Sequence, residues 1–119
     1  MGLFRIRESG EVHVGADEAR ALVNTGAMLI DVRETSEWRA GHAPGASHIP
    51  LMQLAGRVRE LPRDRAVVCV CRSGSRSSRA VQMLRNLGFD ARNLAGGMAA
   101  WATAGHEVIA DSGQRGYVV

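Results

Sequence analysis

The apolar positions fall into short blocks whose spacing switches between the strand period of two and the helical period. Val12 to Val14 reads as a short strand. Ala16 to Asn24 follows with helical spacing, opened by Asp17 and Glu18, whose charge suits the positive end of a helix, and stopped at Gly26. Ala27 to Val32 is an apolar run of strand length, and a polar turn and a loop containing Gly and Pro then lead to Pro50. Leu51, Leu54, Val58 and Leu61 share one helical face, so a helix is expected over Leu51 to Leu61, closed by Pro62. Ala66 to Val70 is continuously apolar and largely β-branched, the pattern of a parallel strand covered on both faces, and is expected at the centre of a sheet. Arg76 to Leu87 sets Ala80, Met83, Leu84 and Leu87 on one face against Arg79, Gln82, Arg85 and Asn86 on the other, with Gly88 as its cap. Ala91 to Leu94 forms a further strand, Gly96-Gly97 a turn, and Met98 to Ala104 a last helix carrying Trp101.

Strands alternating with helices predict an α/β fold with a doubly wound parallel sheet. No repeat, low-complexity block or long linker interrupts the pattern. The 119 residues are expected to form one compact domain over 1–119. Ligands of such sheets bind at the carboxyl ends of the strands, where loops run into helix N-termini, and Cys71 stands at such an end.

Composition narrows the function classes. Apolar residues at 45% and charged residues at 23% belong to a folded globular chain rather than a disordered one. The net charge of +3 rests on arginine. Those arginines are scattered apart from Arg72, Arg76 and Arg79, and aromatics for base stacking are few, so no nucleic-acid partner is expected. No apolar run approaches membrane-spanning length and no h-region opens the chain, so no membrane association and a cytoplasmic location are expected. Cys69 and Cys71, two strand positions apart and hence ~6.6 Å along one face, read as reduced thiols rather than a disulfide. His13, His42, His48 and His106 have no paired ligand spacing, so no metal and no cofactor are expected; they read as surface or loop-fixing residues, none placed as a general base for Cys71.

The chemistry concentrates in Cys71-Arg72-Ser73-Gly74-Ser75-Arg76-Ser77, between the buried strand and the amphipathic helix. Small side chains and Gly74 let backbone amides converge into an anion-binding nest, with the positive end of the helix aimed at the same place. A thiol there, beside Arg72 and Arg76, is expected to ionise readily and act as a nucleophile. The amides from Arg72 to Ser77 are expected to stabilise a persulfide anion, and Arg72 and Arg76 to attract a dianionic sulfur donor such as thiosulfate. Cys69, inside the apolar strand, reads as a packing thiol.

Three segments together resemble the rhodanese-like domains, covering about 12–105. The first is Asp31-Val32-Arg33 continuing through Glu37-Trp38, Gly41-His42 and Pro44-Gly45-Ala46 to Ile49-Pro50; the second is the Cys71 loop; the third is Gly96-Gly97-Met98 followed by Trp101. The resemblance implies a three-layer α/β/α fold with a five-stranded parallel sheet, and a persulfide-forming cysteine matched by Cys71. Asp31 and Arg33 are read as satisfying loop backbone groups, with Glu37 pairing Arg33. Ala43, Ala95 and Cys69 depart from residues frequent in the family. Met1 to Glu11 and His106 to Val119 lie outside the pattern and are read as edge strand, tail or self-association segment.

The expected reaction is a two-step displacement. Cys71 attacks the outer sulfur of thiosulfate or another sulfane-sulfur donor, sulfite departs, and cyanide or a thiol such as glutathione or thioredoxin takes the sulfur. A protein persulfide donor or acceptor would use the same cysteine, leaving a protein-to-protein relay as the alternative. Phosphatase or arsenate reductase chemistry, known from fold relatives with five residues between Cys and Arg, is disfavoured because only Arg72 to Ser75 separate Cys71 from Arg76.

Overall fold

The computed structural model describes residues 12–119. The expectation for Met1 to Glu11 lies outside these residues. The elements are β1 His13–Val14, α1 Ala16–Asn24, β2 Met28–Asp31, α2 Thr35–Ala40, β3 Ser47–His48, α3 Leu51–Leu54 with a 3-10 segment Ala55–Glu60, β4 Val67–Val70, α4 Ser75–Asn86, β5 Ala91–Leu94 and α5 Gly97–Thr103. The five strands form one parallel sheet in the order β1-β5-β4-β2-β3. Strand β4 is central and buried at all four positions, as its unbroken apolar run predicts.

Alternation along β4 divides the core. Val67, Cys69 and Cys71 join Ile30, Leu54, Ala80, Val81 and Leu84 on the face covered by α3 and α4. Val68 and Val70 join Val14, Ala19, Leu29, Leu94, Met98 and Trp101 on the face covered by α1 and α5. The result is the expected three-layer α/β/α fold with a five-stranded parallel sheet. Because side chains two positions apart share a face, Cys71 leaves β4 pointing at the α4 layer.

Two stretches differ from expectation. Leu51 to Leu61 is not one helix: α3 ends at Leu54, and the 3-10 segment that follows has a non-helical Arg57 at φ −123° and ψ 17°. Gly56 weakens the helix there, and the 3-10 pitch still places Val58 against the core with Leu61 buried beyond it. Within the stretch expected as turn and loop, the chain forms α2 and β3. Helix α2 buries no residue, so it has no apolar stripe for periodicity to detect. It is held by its ends instead. Glu34 and Glu37 make a reciprocal capping box. At the other end the fully buried Arg33 is paired with Asp31 at 2.8 Å and donates to the Gly41 carbonyl at 2.6 Å.

The segment after α5 folds back onto this region. His42 and Ile109 exchange backbone hydrogen bonds, Asp111 N donates to Arg39 O and Tyr117 N to Ala40 O. Val108 and Val118 pack against the α1 and α5 side of the core. A Cβ on Gly41 would collide with the Tyr117 backbone.

Candidate active site

Strand β4 ends at Val70, and residues 71–74 turn directly into α4. Gly74 is the N-cap at φ 110°, in the left-handed region where glycine carries no Cβ penalty. No side chain of its own caps α4. The Cys71 sulfur takes that place, accepting from the amides of Gly74 at 3.1 Å and Ser77 at 3.4 Å and from Ser77 Oγ at 3.3 Å. The two amides are free donors of a helix N-terminus, to which a thiolate is a natural partner.

Electrostatics follow the geometry. Burial pushes the Cys71 thiol up, but the hydrogen bonds from the Ser77 hydroxyl and from the amides of Ser77, Gly74 and Ser73 outweigh it and hold the thiol below its ordinary value. Cys69 on the same face has none of these donors; burial, with a smaller contribution from Cys71, pushes it up to about 12. Cys71 itself is 0% exposed, whereas Arg72, Ser73 and Ser75 of the covering loop are exposed.

The loop is buttressed from behind by α5. Met98 N donates to Cys71 O at 2.7 Å and Ala99 N to Arg72 O at 3.1 Å. Gly96 and Gly97 have φ of 78° and 60°, and a Cβ on Gly97 would collide with the Cys71 and Arg72 carbonyls. Gly97 is thus required by the close approach of two backbones, and Gly96 by its left-handed conformation.

The structure brings all seven sequence-predicted residues, Cys71 to Ser77, into one turn but engages the two guanidinium groups elsewhere. Arg76 is held by Glu37 at 2.7 and 2.9 Å in a two-pronged pair. Its hydrogen bond is the chief cause that draws Glu37 down to about 2, and Glu37 in turn holds Arg76 above its ordinary value. The expected Glu37 to Arg33 pair is therefore corrected: Arg33 gives its Nε and Nη2 to Asp31 and Gly41, and Glu37 reaches across to the loop. Arg72 Nε donates to the main-chain oxygen of Val119 at 2.8 Å.

Two participants are placed in the site only by the structure: Glu37, whose segment the sequence marks but whose partner it does not, and Asn93. Glu37 belongs to a helix that periodicity does not reveal. Asn93 sits 4% exposed in β5 with Oδ1 2.5 Å from Ser77 Oγ; in a strand that reads Ala-Arg-Asn-Leu nothing local distinguishes it from its polar neighbour Arg92. The histidines act as fixing groups. His42 contacts Trp38 O, His48 contacts Arg33 O, His106 pairs with Asp17 and His13 meets Asn93. Among the described residues no His, Cys, Asp and Glu cluster suited to a metal ion is present, and no helix is long and apolar enough to cross a membrane.

Comparison with known proteins agrees with this geometry. A family model described as the rhodanese-like domain matches residues 15–104. A protein of Allochromatium vinosum named a sulfurtransferase is 39% identical over 87 residues, covering 72% of this chain and 81% of that protein. A helix-turn-helix-type transcriptional regulator of Mycobacterium tuberculosis is 38% identical over 105 residues, covering 87% of this chain. The chain spans only 40% of that regulator's length. The crystal structure of a rhodanese-related protein from Thermoplasma volcanium superposes with a TM-score of 0.76 at 28% identity, covering 82% of this chain and 96% of that one.

Proposed function

The chain belongs to the rhodanese-like domain family, and from that premise we propose that it is a sulfurtransferase in which Cys71 carries a sulfane sulfur as a persulfide. The observation that carries the reading is the Cys71 sulfur seated at the head of α4 on the amides of Gly74 and Ser77. Thiolate character makes it a nucleophile, and the same donors serve the persulfide anion it becomes.

The donor in this reading is thiosulfate. Cys71 S⁻ attacks the outer sulfur, the S–S bond of thiosulfate breaks, and its electron pair leaves with sulfite. An acceptor thiolate or cyanide then attacks the outer sulfur of the persulfide, and Cys71 leaves as a thiolate into its cradle. Arg72 supports anion attraction from the loop rim, where it is exposed; Arg76 acts through its position beside Cys71 while bound to Glu37. A persulfide delivered by a protein is the second reading, favoured by the exposed position of residues 72, 73 and 75 at the rim.

Incubation with thiosulfate followed by intact mass, then cyanide with thiocyanate detection, tests the proposal. The expected result is one added sulfur atom that cyanide removes and that Cys71→Ser lacks. Uptake from a protein persulfide but not from thiosulfate would establish the relay, and uptake from neither would overturn both.

A further inference from the structure

The Ser77 hydroxyl has one proton and several acceptors around it. Ser77 is 0% exposed. Its Oγ lies 2.5 Å from Asn93 Oδ1, 3.3 Å from the Cys71 sulfur and 3.3 Å from Gly74 O. The orientation of the Asn93 amide is set independently: Nδ2 faces the Gly74 carbonyl at 3.4 Å, which can only accept, and His13 Nδ1 at 3.2 Å. Oδ1 is therefore the face turned to Ser77, and the short distance marks it as the preferred acceptor of the hydroxyl.

We propose that Asn93 is a positioning residue for Cys71: it competes with the sulfur for the Ser77 proton and thereby sets how readily the thiol ionises. In the neutral state the Cys71 S–H faces Ser77 Oγ and the Ser77 O–H is given to Asn93. On ionisation the S–H bond breaks, the proton passes to a solvent base, and the Ser77 O–H turns to the sulfur. Asn93 Oδ1 is then a buried acceptor without its donor, a state that proteins pay to enter. The thiolate is still favoured by its amides, but less than it would be without Asn93.

The arrangement has a chemical use. A thiol's nucleophilicity falls as its acidity rises, whereas a sulfur that must leave does so more readily when acidic. A hydroxyl shared between Asn93 and Cys71 leaves the thiolate reactive for attack and is available when Cys71 is the leaving group. The other groups facing the sulfur are Arg76 on α4, itself paired with Glu37 on α2, and Cys69 on β4, while His13 on β1 contacts Asn93. Among these, Asn93 alone acts through the Ser77 hydroxyl.

The inference rests on Cys71 being the nucleophile but not on the sulfur donor, so it is tested by the pH dependence of iodoacetamide alkylation of Cys71. Asn93→Leu is expected to move the ionisation midpoint down by about one pH unit, the size set by an unpartnered buried acceptor. Ser77→Ala is expected to move it up, and Asn93→Leu is expected to add nothing in the Ser77→Ala background. An upward or absent shift in Asn93→Leu, or an equal shift with Ser77 removed, would overturn the proposal. Asn93→Ala replaces Asn93→Leu if the larger side chain prevents folding. In the unmutated protein, the Asn93 side-chain carbonyl carbon resonance is expected to move with the Cys71 midpoint, and its failure to do so would also overturn the proposal. Loss of sulfur uptake with these midpoints as expected would instead count against the proposed function alone.

Discussion

Cys69 in β4 and Cys71 just beyond its end point to the same side of the sheet and differ in chemistry because of a single turn of helix. The sulfur of Cys71 meets the first amides of α4, while Cys69 lies one pleat lower among Ile30, Val67 and Ala91 with 0% exposure. Alkylation near neutral pH followed by intact mass is therefore expected to give one adduct in the folded protein and none in Cys71→Ser. Cys69, held at about 12, should react only after denaturation. Two adducts on the native protein would show that the α4 amides do not decide which thiol reacts. At this scale the sequence is informative wherever chemistry is local: Cys71, Gly74 and Ser77 are neighbours in the chain and in the site. It is silent on Asn93, which reaches Ser77 only because β5 lies beside β4.

At the scale of elements, α2 shows how a helix without a buried face can still be specified. The helix is fixed by its capping box and by Arg33 beneath its end, and this aims Glu37 at Arg76. The pair has a consequence for acid stability. The folded-state value of Glu37 is depressed from 4.5 to about 2, so its contribution is fully present above the unfolded value and is lost as pH falls from about 4.5 toward about 2. With side chains 17% and 31% exposed, screening reduces the worth of the pair to about 1–2 kcal/mol. Glu37→Gln is expected to lose that amount near neutral pH in urea unfolding and to flatten the acid limb of the stability curve. An unchanged acid limb would place the source of acid sensitivity elsewhere. The helix expected over Leu51 to Leu61 teaches the converse: periodicity there marks the buried face correctly, but Gly56 and the break at Arg57 lie outside what spacing reports.

Across the whole molecule, the segment after α5 is tied to the same region as the active loop. Its backbone pairs with Arg39, Ala40 and His42 at the end of α2, its Val108 and Val118 cover one side of the core, and Val119 meets Arg72. Gly41→Ala is expected to push this segment off, because the added methyl meets the Tyr117 backbone and neither main-chain segment can yield cheaply. The expected loss is about 1–3 kcal/mol in thermal or urea unfolding, with faster amide exchange over 107–117 while β4 stays protected. Protection unchanged over 107–117 would show that the contact is not tight. What the amino-acid sequence determined by itself is the set of things carried by short-range pattern: alternating strands and helices, the buried central strand, and a cysteine leading a Gly and Ser loop into a helix. Only the tertiary structure decided which distant groups complete that loop. Glu37 taking Arg76, Asn93 beside Ser77, α5 amides on the Cys71 carbonyl and Val119 on Arg72 all join positions far apart in the chain, brought together by the parallel sheet order and, for Val119, by the docking of the segment after α5, not by any spacing along the chain.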